Sequence, residues 1–357
     1  MQIETAKFLK HLYLVSEWFG LAVRKPKKWL KLANAVIIIF LAIGMVLHIR
    51  EIESKKTIYY ALEVAIYFLN AICNMVFVAL VMLCPNVCSK LMRNISEIDA
   101  FYLSIDGLHC RTHYYVYWLE IIVINGLALP YYIYCMQQYN LVLALSHILH
   151  LFMMTLSVLL IYNVALILRH RFTVFNCRLR RSISPAEIRR FTLVYDELCD
   201  VIDEHSEIFG LRIMAIYLVV LLTIIKSINF GINYFTFKYN MSFEMFFRRI
   251  FLKVIIIFVF TFMITISCGQ ACREAKRTKA VCYELIKKAR AKNNVRWRNV
   301  IDELLLLARM VNYRQPNFSA FDFFHIDYPI LFSLVNCITT YTIVVIEIKR
   351  NFSYILE

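Results

Sequence analysis

A chain of 357 residues that is 61% hydrophobic and only 18% charged, with a mean hydropathy of +0.61, is too apolar to fold around one water-soluble core. Its seven Gly and six Pro exclude Gly-rich phosphate loops, collagen, turn-dense β-sandwiches and disordered linkers, which leaves an all-α membrane protein. The net charge of +15 invites a nucleic-acid partner, yet the positions of the charges along the chain assign it to topology and to acidic lipid headgroups instead.

The first 28 residues are a basic segment. Within it, Phe8 to Val23 is apolar but broken by Lys10, His11 and Glu17, so it is expected to lie in the membrane interface rather than cross. Seven runs long enough to span ~30 Å of hydrocarbon follow. They cover residues 29–48, 57–83, 114–136, 141–168, 211–235, 247–268 and 323–348. The first has no small-residue cleavage site and is read as an anchor that stays.

Between the fourth and fifth runs, in the segment 169–210, Ser184, Pro185 and Glu187 have the spacing of an N-cap, a first-turn proline and a capping-box acid. Ile188, Phe191, Val194, Leu198, Val201 and Ile208 then recur at helical spacing, predicting an amphipathic helix that runs on into the fifth span. The sixth span is expected to continue from Gln270 to Asn294, and Val300, Ile301, Leu304, Leu307, Ala308 and Val311 mark a second amphipathic helix before the last span. Such helices need an apolar partner, either within one subunit or between subunits. Cys84 with Cys88 and Cys268 with Cys272 are four apart, without the tight spacing or the histidines of a metal set, so they are read as small apolar residues; no metal or cofactor is expected.

Sorting the 40 Lys and Arg by side puts 28 in the segments before the odd-numbered spans and eight on the opposite side. The basic excess of cytoplasmic segments then predicts a cytoplasmic N-terminus and an extracellular C-terminus, opposite to a G-protein-coupled receptor. The Asn-x-Ser sites at Asn240 and Asn351 fall on the expected outer side and are candidate glycosylation sites; Asn94 and Asn317 fall inside.

The C-terminal run carries Phe324, Asp327 and Leu331, then Thr340 and Tyr341 followed by Thr342 to Ile346, Glu347 and Ile348. This resembles the last helix of the insect gustatory receptor family, which has Thr-Tyr, five mostly hydrophobic residues and Gln-Phe. Glu347 and Ile348 depart from that ending, so the chain looks like a divergent member. The resemblance, which extends to the insect odorant receptors, implies a tetrameric ligand-gated cation channel in the plasma membrane of a sensory neuron. It implies no enzyme activity. In that scheme 29–268 is a six-helix bundle with the cytosolic helical loop 169–210, 269–321 is a cytosolic helical anchor, 322–348 is the pore-lining helix and 349–357 an extracellular tail. The subunits would be this chain alone or with other gustatory receptors, the stimulus a small organic tastant.

Two sites follow. Thr340, Ile343 or Val344, and Glu347 can share one helical face, so four copies of Glu347 would make a carboxylate ring above an apolar gate, with Glu347 as a solvent-facing helix-end residue as the plainer reading. The resemblance places the stimulus pocket in the outer half of the earlier spans. The polar and aromatic residues at that depth are Tyr59, Glu63, Tyr67 and Asn70, then Tyr131, Tyr132 and Tyr134, His147 and His150, Asn229 and Tyr234, and Lys253. Of these, Tyr67, Asn70, Tyr131, Tyr132, His147, His150 and Tyr234 are the ligand-binding candidates, against an interfacial tyrosine belt and helix-packing histidines as the plainer reading. Glu63 and Lys253 lie at comparable depth and can pair, with Lys226 nearer the middle. A secondary transporter would also use intramembrane charges, but no inverted repeat or Gly/Pro-interrupted pair of spans supports one.

Overall fold

The computed structural model describes residues 28–53, 58–83, 90–91, 93–95, 98, 126, 129, 132–133, 136–137, 139–181, 184–237, 243–291 and 295–356. Most of the predicted third span lies outside these residues, as do Tyr131, Tyr134 and Asn240; the side chains of Tyr59, Tyr234, Lys253 and Asn351 are likewise outside the description. The described helices are α1 (Lys28–Glu53), α2 (Ile58–Leu83), α3 (Leu141–Leu179), α4 (Pro185–Phe237), α5 (Phe243–Ala291), α6 (Val295–Tyr313) and α7 (Tyr328–Leu356). A two-stranded hairpin, β1 (Ser319–Ala320) and β2 (Phe324–His325), precedes α7. Six of the described helices are long and apolar enough to cross a membrane.

Helix length explains the architecture. The 53 residues of α4 and the 49 of α5 rise about 80 and 74 Å at 1.5 Å per residue, more than twice the hydrocarbon thickness. Each therefore crosses the bilayer with one half and projects with the other. The projecting half of α4 is a predicted amphipathic segment and that of α5 the expected continuation of the sixth span: α4 begins at Pro185, where the Ile188 amide donates to the Ser184 carbonyl, and runs unbroken into the fifth span.

The projecting parts of α3, α4 and α5 gather with α6 into a bundle at the basic end of the molecule. Ile188, Phe191, Val194, Leu198 and Val201 of α4 are buried there, as are Val300, Leu304, Leu307, Ala308 and Val311 of α6. Phe172, Phe175 and Tyr195 interlock across α3 and α4. The amphipathic faces thus find their partner within the chain, by ordinary area burial. Cys268, Cys272 and Cys282 sit in the same continuous core.

Helix α3 is the axis of the membrane bundle, with 83% of its most apolar stretch buried. Its start is capped by Asn140, whose side chain accepts from the Leu143 amide at 3.1 Å. Thr155, Ser157 and Asn163 return their side-chain donors to carbonyls four residues back, which lets polar groups sit in an apolar interior.

The last helix starts at Tyr328, not at Phe323. Phe323 and Phe324, expected to open the span, belong instead to a hairpin whose turn residues Phe321 and Asp322 both have positive φ, 52° and 58°. Asp322 is held there by Ser319, whose hydroxyl donates to the Asp322 carboxylate at 3.0 Å. The hairpin lies so close to α4 that a Cβ on Gly210 would meet the Phe321 nitrogen at 2.6 Å, which is why glycine occupies that position. At its other end α7 continues as helix to Leu356, so the expected tail 349–357 is helical for nearly its whole length.

Candidate functional site

Three helices bring polar groups to one depth in the half of the bundle away from the basic end, and a fourth adds an apolar side chain. A cavity of about 530 Å³, counting space open to solvent, is lined there by Glu63, Ile66, Tyr67 and Asn70 of α2, His147, His150, Leu151 and Met154 of α3, Val219 and Lys226 of α4, and Ile257 of α5. Tyr67, Asn70, His147 and His150, four of the candidates read from the sequence, are therefore neighbours in space.

Their spacing accounts for this. Glu63, Tyr67 and Asn70 fall at i, i+4 and i+7 on α2, and His147, His150 and Met154 at i, i+3 and i+7 on α3, so each set shares one face of its helix. Asn74 Nδ2 lies 2.8 Å from His150 Nδ1, and the Tyr67 hydroxyl hydrogen-bonds to Ser146. A Cβ on Gly44 would meet that Tyr67 hydroxyl at 2.5 Å, so α1 closes on the pair only because it carries glycine there.

Opposite charges complete the wall. Lys226 Nζ is 3.1 Å from Glu63 Oε1, and both side chains are only 11% exposed. Lys226 of α4 is thus one partner of Glu63. Tyr139 donates its hydroxyl to the same carboxylate oxygen at 3.2 Å and stacks on His147 with ring centroids 4.8 Å apart. His48 of α1 adds a further ring, 4.5 Å from Tyr67.

The remaining candidates separate from this group. Tyr132 packs against the core but does not line the cavity. Asn229 points to the last helix instead, donating to the Tyr341 hydroxyl at 2.6 Å. Tyr341 is thereby engaged within its own subunit, and with Leu334 and Ile338 it forms the stripe by which α7 rests on the bundle. Thr340, Ile343, Val344 and Glu347 lie on another face and are exposed, and only 6% of the apolar stretch of α7 is buried.

This combination of long projecting helices, a polar-lined cavity and a largely exposed last helix matches known proteins over nearly its full length. The family model described as "7tm Chemosensory receptor" covers residues 9–351. The chain belongs to this family. It is a multi-pass membrane receptor, and the seven-span fold expected from the sequence holds. Among solved structures the receptor is similar to the insect olfactory receptor OR5 from Machilis hrabei, with a TM-score of 0.74 at 10% identity over 97% of this chain and 99% of that one. The complex of that olfactory receptor with eugenol is similar at a TM-score of 0.64 and 12% identity, with the same coverage. No curated protein sequence matches the chain.

Sequence reasoning missed Tyr139, His48 and Ser146, which contact the lining residues Glu63, His147 and Tyr67 from behind the receptor's cavity wall. Tyr139 lies one residue before the α3 cap, where an interfacial tyrosine needs no further explanation. His48 had a usable signal, since an ionisable side chain near a span end at the depth of His147 asks for a partner.

Proposed function

We propose that the receptor is a gustatory receptor: a tetrameric ligand-gated, non-selective cation channel that opens when a small organic tastant enters the cavity around Tyr67 and His150. The observation that carries this reading is α7. A helix whose apolar stretch is 6% buried, with Phe332 72% and Val335 51% exposed, has nearly its whole circumference available to other subunits and to a shared pore. Helix α1, which also faces outward, is 22% buried over its apolar stretch.

In this reading Thr340, Ile343, Val344 and Glu347 face the pore, with Glu347 as a ring that concentrates cations and Ile343 and Val344 as an apolar constriction. The N-terminus is cytoplasmic and the C-terminus extracellular, which puts Glu347 and the cavity on the outer side of the plasma membrane of a sensory neuron. The bundle at the basic end serves as the anchor between subunits, using surface left over after its own core is made: Leu306 and Tyr313, 55% and 93% exposed, are seven residues apart on the outer face of α6. The olfactory receptor of similar fold is known in complex with eugenol, which supports a small organic ligand here.

Agonist-evoked unitary current from the purified chain in a planar bilayer tests the proposal; ligand flux without unitary current would reject it. Glu347→Gln is expected to lower cation conductance or divalent affinity while assembly persists, and unchanged permeation would remove Glu347 from the pore. Tyr67→Ala and His150→Ala should shift the dose–response curve at normal surface expression.

A further inference from the structure

Most polar side chains of the cavity wall are engaged by the receptor itself. Glu63 accepts from Tyr139 at 3.2 Å and pairs with Lys226 at 3.1 Å, and both members of that pair make further interactions, so these two charges are compensated in place. The Tyr67 hydroxyl is hydrogen-bonded to Ser146, and the Asn74 amide donates to His150 Nδ1 at 2.8 Å. His147 is enclosed by the rings of Tyr139, Tyr67 and His48, at 4.8, 4.7 and 5.3 Å. Asn70 differs. It lines the cavity half-buried, and among the described residues nothing hydrogen-bonds to its side-chain amide.

Position sets Asn70 apart as well. It follows Glu63 by seven residues on α2, about 10 Å along the helix axis, so a molecule held there leaves the ion pair closed. Tyr67, one turn before it, brings an aromatic ring beside the amide, and Ile66, Leu151, Met154, Val219 and Ile257 supply apolar surface. A charged group brought to this depth gives up water and meets charges that already have partners. An uncharged amide loses less and matches Asn70 with a donor and an acceptor on one edge. We infer that the cavity takes an uncharged aromatic carboxamide, or an aromatic molecule with the same donor and acceptor edge, which pairs with the Asn70 amide while its ring lies against Tyr67. This deepens the proposed function and rests on its reading of the cavity as the ligand site.

The test uses the full chain in lipid nanodiscs, with empty nanodiscs as the blank, and four probes with one phenyl group each: benzamide (uncharged, donor and acceptor), acetophenone (uncharged, acceptor only), benzoate (anion) and benzylamine (cation). Titration calorimetry is expected to rank benzamide about threefold to tenfold above acetophenone, the worth of one hydrogen bond, and at least about tenfold above the two charged probes. Asn70→Leu should bring benzamide down to acetophenone. Asn70→Asp keeps the shape but replaces the amide by a carboxylate, so it should move the preference to benzamidine, the cationic relative of benzamide. The ranking on the parent chain needs no variant to fold. A panel in which benzamide does not exceed the other three, whether all bind alike or none binds, overturns the inference, and so does a folded Asn70→Leu receptor that keeps the benzamide preference. Its failure is distinguishable from failure of the channel reading: benzamide-selective binding without current sinks the channel, whereas current evoked alike by charged and uncharged probes, and unchanged in Asn70→Leu, sinks the carboxamide.

Discussion

Two charge clusters sit on the same helix, α4, and obey different physics. Lys226 and Glu63 form a pair 11% exposed on both sides within the membrane half. Further back along α4, beginning about 35 Å away by helical rise, Asp203, Asp200 and Asp196 present one acidic stripe to Arg314, which follows α6. Arg314 is 29% exposed and its carboxylates 42%, 54% and 61%. Burial works against the Arg314 charge, but the hydrogen-bonded carboxylates outweigh it and hold its pKa above the ordinary arginine value. In water such a cluster is divisible, because each member retains solvent and other partners. In the membrane half the two charges share one desolvated setting, so removing either member costs the other its nearby opposite charge where water cannot easily replace it. The shared helix thus carries a fastening at one end, between α4 and the segment leading to α7, and an ion pair in the cavity wall at the other.

The sharpest way to break this contrast is a double-mutant cycle on the buried pair. Glu63→Gln or Lys226→Met alone is expected to cost on the order of 3–5 kcal/mol of stability, and the double variant to recover most of it. Thermal unfolding in nanodiscs measures this; additive single effects would mean that the two side chains do not share one desolvated environment.

Next in size is the contact that seats the hairpin. Gly210→Ala places a methyl group 2.6 Å from the Phe321 nitrogen, a backbone atom that cannot swing aside. A cost of about 1–3 kcal/mol is expected, as for overpacking elsewhere. Faster amide exchange confined to residues 318–326 would locate it, and unchanged exchange there would show that the hairpin yields freely.

Arg314→Ala should cost less, about 1–2 kcal/mol, although it removes three ion pairs, because solvent shares the load. Its effect should shrink between low and high salt, whereas that of the buried pair should not. A salt-independent loss at Arg314 would erase the distinction between the two clusters.

Much of this architecture was legible in the sequence because it follows from hydropathy and period. The boundaries of α2 follow from an apolar run, and the continuity of α4 from Ser184, Pro185 and the residues spaced after them. The cavity was legible to the extent that Tyr67, Asn70, His147 and His150 are polar residues at one depth on successive spans. What escaped depends on helix rotation and on contacts across the bundle. Whether Glu63 meets Lys226, or Asn229 turns toward Tyr341 and away from the cavity, is decided by which faces of α2, α4 and α7 abut, and no local pattern encodes it. The hairpin escaped for a different reason: its turn uses Phe321 and Asp322 at positive φ where Gly or Asn is the usual signal, and Phe323 and Phe324 read as the start of the membrane span.

The smallest effect at neutral pH belongs to His205, which lies on α4 beside the docked hairpin and tests the fastening through a proton. It is 0% exposed, packed against Phe209 and edge-on to Phe318 with centroids 5.0 Å away. Burial pushes its imidazole pKa down to about 3, with the Ile161 carbonyl opposing. In the unfolded chain the same ring titrates near its ordinary value of about 6.5. Between these two values the unfolded state binds a proton that the folded state refuses, so stability is fully present above about pH 6.5 and falls as the pH drops toward 3. Near pH 5.5 the loss should be about 1.4 kcal/mol, the full slope for one group over one pH unit. His205→Leu keeps an apolar side chain in the aromatic site and removes the proton. Its unfolding midpoint should therefore fall less steeply with acid than that of the parent chain. Parallel pH profiles for the two would mean that the site between α4 and the hairpin opens to water before the histidine titrates.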